Sequence, residues 1–130
     1  MADSMTRQQR ETAARTAADA VLTQWPEIER DRALGQALRS NADAIHRQSR
    51  EALWQPGGHP LLFRAGNSLG NSGLVTSAVD YWQKMADTAA TCLGPDHPDT
   101  LTTRNNLAFW QAAAGNPAPE RANTDGATNG

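Results

Sequence analysis

A short cluster of acidic and imidazole side chains, Asp96-His97-Pro98-Asp99, is one place in the chain where a metal ion could bind. A His-Pro pair also suits the start of a helix, because proline fits the first helical position. The same pair occurs at His59-Pro60, and Asp99 would fall in a first turn, where the helix dipole favours negative charge. We therefore interpret both pairs as helix starts and predict no metal site.

Nucleophiles and bases are present, but not in the arrangements that catalysis needs. His46 and Cys92 fall on different predicted helices, with no third group to orient the histidine. The serines of the chain's middle lack the G-x-S-x-G context of a hydrolase nucleophile. The glycine-rich run 66–73 has no strand before it, as a phosphate loop would require. We predict no catalytic residue, no cofactor and no enzymatic activity.

The overall composition argues against two classes of partner. Twelve Lys and Arg stand against 14 Asp and Glu, so no strongly basic face for nucleic acid is evident. No apolar stretch approaches the roughly 20 residues that span a bilayer. The polar start of the chain does not resemble a signal peptide, and the lone Cys92 suits a reducing compartment. These features predict a cytoplasmic protein that binds neither nucleic acid nor membrane.

Hydrophobic periodicity predicts an all-α protein of about five helices, because apolar residues recur at three- and four-residue steps. The predicted helices run from about Ser4 to Trp25, Glu27 to Trp54, His59 to Gly70, Val75 to Cys92 and Pro98 to Ala114. In this interpretation Pro26 occupies the start of the second helix. The segment from Asn116 to Gly130 has no large apolar residue, which predicts a disordered tail.

A weak internal repeat relates two of these helices. Gly73 and Gly115 each fall at the end of a predicted helix, and 115 − 73 gives an offset of 42 residues. The offset aligns the small residues Gly66 and Ala108, whereas bulkier positions match less well. A period in this range is typical of helical repeat proteins.

The linker Leu93-Gly94-Pro95-Asp96-His97-Pro98-Asp99-Thr100, followed by Asn105-Asn106-Leu107-Ala108, resembles kinesin-light-chain-type tetratricopeptide repeats. The resemblance covers His59 to Gly115 and implies a helical-hairpin, solenoid-like fragment with one full repeat and one further helix. Ala90 departs from the pattern, because the family often has proline there. The residues that match the signature of the full repeat are Leu62, Ala65, Gly66, Leu69, Ala78 and Trp82. We expect Trp82 to pack beside Leu62, Gly66 and Leu69.

More broadly, the block 52–114 resembles the C-terminal repeat region of actinobacterial signal-transducing NTPases. Those proteins join a nucleotide-binding core to a sensor region, but this chain has no G-x-x-x-x-G-K-[ST] motif and so lacks that core. We expect an N-terminal helical hairpin over residues 1–55, a tetratricopeptide-like region over 56–115 and a tail over 116–130. The N-terminal helices would supply the neighbour that a single repeat needs.

The resemblance also implies a function, since first-helix residues in this family line a groove where asparagines hydrogen-bond a peptide backbone. By register the groove residues are Phe63, Arg64, Asn67, Asn105, Asn106 and Phe109. The structural alternative is that Asn106 satisfies local backbone groups and Phe109 is core. We expect a module that binds a peptide or partner protein. The alternative is a regulatory or structural remnant that completes its core as a homo-oligomer or on a larger signalling protein.

Overall fold

A computed structural model describes residues 6–115, and the regular elements among them are all α-helices, so the predicted all-α class is confirmed. There are six helices in this part of the chain rather than the five predicted. They are α1 (Arg7–Gln24), α2 (Arg32–Gln48), α3 (Arg50–Leu53), α4 (Pro60–Asn71), α5 (Val75–Leu93) and α6 (Pro98–Gly115). None of them is long and apolar enough to cross a bilayer. The predicted disordered tail lies outside the described residues.

The first helix begins later than predicted, because Thr6 caps it. The Thr6 hydroxyl accepts a hydrogen bond from the Gln9 backbone N–H at 3.0 Å, and the Gln9 side chain accepts one from the Thr6 N–H at 2.8 Å. This reciprocal pair is a capping box, which satisfies two backbone donors at the start of a helix. The helix therefore starts at Arg7 rather than near Ser4.

The predicted second helix is wrong at both ends. Pro26 does not start it; α2 begins at Arg32, where the Asp31 carboxylate caps the N–H groups of Ala33 and Leu34. At the other end the chain leaves helical geometry at Ser49, and the short α3 follows. After this break Leu53 and Trp54 are fully buried. A continuous helix was predicted because no proline or glycine marks either boundary.

α4 lies at the centre of the fold and packs against α1, α2 and α5. Tryptophan supplies much of the bulk that the alanine-rich sequence lacks, with Trp54 and Trp82 both fully buried. As predicted, Trp82 packs on Gly66: a Cβ atom added to Gly66 would lie 2.3 Å from its ring. Leu62 belongs to the same apolar cluster, and Leu69 packs against it. Only glycine at position 66 allows this close approach.

The helices α4, α5 and α6 form two consecutive antiparallel pairs, so α4 and α6 run in the same direction. A turn with Gly73 at φ 79° joins the first pair, and Gly94 at φ 94° lies between α5 and α6. The Asp99 carboxylate accepts from the Gly58 N–H at 2.9 Å, near the starts of α6 and α4. Near the other ends, Trp110 lies against Gly70. The two helices are therefore aligned in space with offsets of 99 − 58 = 41 and 110 − 70 = 40 residues.

Candidate functional site

Both His-Pro pairs are helix starts, as the sequence predicts. The Nδ1 atom of His59 accepts a hydrogen bond from the Leu61 N–H at 3.0 Å, and His97 accepts from the Asp99 N–H at the same distance. The Nε2 atom of His59 also lies 2.6 Å from an Asp19 carboxylate oxygen, which ties α4 to α1. No group of three or more metal-ligating side chains occurs within residues 6–115.

The six predicted groove residues do not all share one surface, and Arg64 stands apart from the others. Its guanidinium donates to the Pro26 carbonyl at 2.5 Å and lies over the Trp25 ring, 5.5 Å from the ring centroid. It also lies 3.7 Å from the Glu29 carboxylate. Arg64 therefore attaches the loop between α1 and α2 to α4.

Arg64 belongs to a half-buried polar network that sequence reasoning did not find. Glu29 is its centre: this carboxylate accepts from the Trp25 indole N–H at 3.1 Å and from the Ser68 hydroxyl at 2.8 Å. The Arg39 guanidinium donates to Ser68 at 2.8 Å. Leaving a charged group unpaired costs free energy once the group is withdrawn from water. The network therefore holds the loop between α1 and α2 against α4. Its members come from three separate segments, which are Trp25 with Glu29, Arg39, and Arg64 with Ser68, so no local sequence pattern predicts the network.

Phe63 is a core residue more than a surface one. Its ring is half-buried, with its centroid 6.4 Å from that of Trp54 and 5.9 Å from that of Trp82. A Cβ atom on Gly58 would lie 2.8 Å from the same ring. The ring therefore fills space between α3, α4 and α5.

Three of the predicted residues, Asn67, Asn106 and Phe109, lie at a similar level along α4 and α6, and we call them the α4–α6 face. The spatial offset of 40 to 41 residues places Asn67 level with residues 107 and 108, within one turn of the other two. Asn67 is exposed, Asn106 is half-buried, and Phe109 is 63% exposed. The Phe109 ring stands edge-on to that of Trp110, with centroids 4.9 Å apart.

Asn105, the sixth predicted residue, lies further round α6. It is exposed and shares a surface with residues three, four and seven positions away on the same helix. We call this surface the outer face of α6. It consists of Leu101, Asn105, Ala108 and Ala112.

An open cleft of about 1300 Å³ lies elsewhere, between α5 and the helices α1 to α3. Arginines of α1 to α3 line one side, and Asp80, Lys84 and Asp87 of α5 line the other. Several of these charges are already paired within the chain: Arg7 lies 3.1 Å from Glu51, and Arg47 lies 3.0 Å from Asp43. The cleft therefore carries charges of both signs, and several of them are already paired with each other.

His46, which also lines the cleft, acts as a hydrogen-bond acceptor. The Trp54 indole N–H donates to its Nε2 atom at 2.9 Å, so this nitrogen must be unprotonated. Burial, and secondarily the nearby Arg50 charge, lower the pKa of His46, while Asp43 opposes the shift. The neutral form is the one that the site stabilises. The Tyr81 hydroxyl is also used in a hydrogen bond within the fold, since it donates to the Leu62 carbonyl at 2.6 Å.

The chain matches no family model, no curated protein and no solved structure. The likeness to tetratricopeptide repeats and to the sensor region of NTPases therefore rests on the sequence motifs alone. The structure contains an antiparallel hairpin of α4 and α5, followed by α6, which runs parallel to α4. Any assignment of function must come from the surfaces just described.

Proposed function

We propose that this chain is a protein-interaction module whose α4–α6 face binds an extended segment of a partner protein. The observation that carries the proposal is Phe109, a large aromatic side chain that is 63% exposed on a helix whose position is fixed. Its neighbour Trp110 is held against Gly70 of α4, so the ring is presented from a rigid support. Exposed aromatic residues on rigid supports are the usual anchors of protein interfaces.

The amides beside Phe109 supply the polar half of the same surface. Within residues 6–115, the side chains of Asn67 and Asn106 make no hydrogen bond, so each amide can both donate and accept toward a ligand. An extended peptide presents alternating carbonyl and N–H groups together with side chains, which suits a surface of amides around one aromatic ring. The resemblance to tetratricopeptide repeats supports the same assignment.

The partner in this proposal is a protein, and the proposed setting is the cytoplasm. The mixed charge of the chain, net −2, gives no reason to expect a nucleic acid. The lone Cys92 suits a reducing compartment. No nucleophile of the described residues is paired with an oriented base, so we do not propose an enzyme.

Peptides selected on the purified chain from a random display library provide the test. Isothermal titration of the selected peptides should show a loss of about tenfold or more for Phe109→Ala, as for an interface anchor. Asn106→Ala should weaken binding by roughly two- to tenfold, the value of one net hydrogen bond. Thr76→Ala, on the exposed surface of α5, is the matched control and should bind normally. Unchanged affinity in Phe109→Ala and Asn106→Ala would refute the assignment.

A second candidate function, completion of the core by another chain, rests on a different observation. The outer face of α6 exposes Leu101 at 46% together with Ala108 and Ala112, beside the polar Asn105, and it does not include Asn67 or Asn106.

A further inference from the structure

The open cleft between α5 and the helices α1 to α3 is lined by three side-chain donors from one short stretch of chain. They are His46, Ser49 and Arg50, at the junction of α2 and α3. The Ser49 N–H still donates to the Ile45 carbonyl at 2.9 Å, so Ser49 lies one helical turn beyond His46. After burial, the Arg50 charge is the main cause that lowers the pKa of His46, so the guanidinium lies near the imidazole. The three donors are therefore neighbours on one wall of the cleft.

None of these donors is used within residues 6–115. The His46 Nε2 atom accepts from the Trp54 indole N–H at 2.9 Å, so the neutral ring carries its proton on Nδ1, which has no partner in this part of the chain. The Ser49 hydroxyl does not cap α3 and makes no other hydrogen bond there, and Arg50 makes no ion pair. All three can therefore donate to a ligand.

The acidic side chains on the same wall are already paired with arginines. These pairs are Glu11 and Glu51 with Arg7, at 3.4 and 3.1 Å, and Asp43 with Arg47, at 3.0 Å. On the opposite wall, the exposed Lys84 of α5 has the acidic Asp80 and Asp87 one turn to either side. An anion is therefore favoured at the α2–α3 junction, beside Arg50, rather than against α5.

We propose that the α2–α3 junction binds the oxyanion, a carboxylate or a phosphate, of a small organic molecule. A guanidinium matches either oxyanion with two parallel N–H groups, and the Ser49 hydroxyl and the His46 Nδ1–H add two neutral donors. Leu69, Tyr81 and Met85 line the same cleft and offer apolar contact to the body of the molecule. The cleft, of about 1300 Å³, has room for such a ligand, since small-molecule sites typically measure about 300–1,000 Å³.

Three probes with the same aromatic ring test the proposal: phenyl phosphate and benzoate carry the two oxyanions, and benzylamine carries a positive charge. In titrations of the ¹⁵N-labelled full chain, an anion should shift the backbone amides of residues 46–50. It should also shift the Trp54 indole N–H, which is bonded to His46. The anion that binds more tightly identifies the oxyanion. No saturable shift at millimolar concentrations of either anion, or equal shifts with benzylamine, overturns the proposal.

Inorganic phosphate tests the apolar contact separately. If phenyl phosphate is bound, it should bind more tightly than inorganic phosphate, because its ring gains contact with the apolar side chains of the cleft. Equal affinity for the two would overturn the assignment of an organic ligand.

Substitutions on the exposed surface identify the donors. Arg50→Gln should weaken binding of the tighter anion by roughly tenfold, the value of a hydrogen bond to a charged group. Ser49→Ala should weaken it by about two- to fivefold. Arg104→Gln removes the same charge from the exposed surface of α6 and is the matched control, which should bind normally. An Arg50→Gln variant that binds as tightly as Arg104→Gln overturns the proposal.

This site is separate from the α4–α6 face and does not rest on it. Phe109→Ala should leave anion binding unchanged, and Arg50→Gln should leave peptide binding unchanged. Loss of anion binding in Phe109→Ala would contradict a site at the α2–α3 junction.

Discussion

At the scale of single residues, His59 and His97 each cap a backbone N–H two positions further on, at the starts of α4 and α6. Arg64 was interpreted as a ligand-binding residue, but its partner Pro26 is 38 positions away in the chain. No pattern of spacing could have paired them, because the contact depends on how the loop between α1 and α2 folds over α4.

His46 gives a prediction about pH. Folding lowers the pKa of His46 below its unfolded value of about 6.5. Between the folded and the unfolded pKa, the unfolded chain therefore binds more protons than the folded chain. Stability contributed by neutral His46 is therefore present above pH 6.5 and is lost as the pH falls toward the folded pKa. Urea unfolding between pH 5 and pH 8 should show a steeper loss of stability on acidification for the wild type than for His46→Gln.

The comparison isolates one group, because the wild type and His46→Gln share the other histidines and all the carboxylates. Glutamine retains an oxygen that can accept from the Trp54 indole N–H, so most of the packing should survive. If the two chains lose stability in parallel across this pH range, the hydrogen bond from Trp54 does not hold His46 neutral.

At the scale of elements, α4, α5 and α6 were predicted well because Gly-rich and Pro-containing breaks separate them. The boundaries of α2 and α3 were not, because Asp31 and Ser49 interrupt a sequence that is otherwise compatible with a continuous helix. The start of α2 is set locally by the Asp31 cap. The break at Ser49 accompanies the burial of Leu53 and Trp54, which requires the rest of the core, so tertiary packing overrides local preference at that point.

The placement of α6 against α4 predicts an unusual response to alanine. Gly70→Ala should destabilise the fold by about 1–3 kcal/mol, because its Cβ atom would lie 2.0 Å from the Trp110 ring. Helix propensity alone would favour alanine by about 1 kcal/mol, so the expected sign is opposite to the intrinsic preference. Gly115→Ala, whose Cβ atom would meet nothing within 4 Å, is the control and should be near neutral in urea melts. A stabilised Gly70→Ala would show that Trp110 does not pack there.

At the scale of the whole molecule, α1, α2 and α5 pack against α4, and α6 packs mainly against α5. This arrangement leaves two exposed surfaces on α6: the α4–α6 face with its aromatic ring and amides, and the outer face opposite α5, which combines Leu101, Ala108 and Ala112 with Asn105. The sequence identified the first surface through its motif, in Asn106 and Phe109. It did not identify the second, because the exposed side of a helix is known only once its buried side is known.

Amide chemical-shift mapping shows directly whether a ligand binds the α4–α6 face. A peptide selected on the chain should be titrated into ¹⁵N-labelled protein at subsaturating and saturating concentrations. We expect the largest shifts on the backbone and side-chain amides of Asn67, Asn106 and their neighbours around Phe109. Shifts concentrated instead on Arg50, Asp80 and the other residues of the cleft, with the α4–α6 face unchanged, would contradict it.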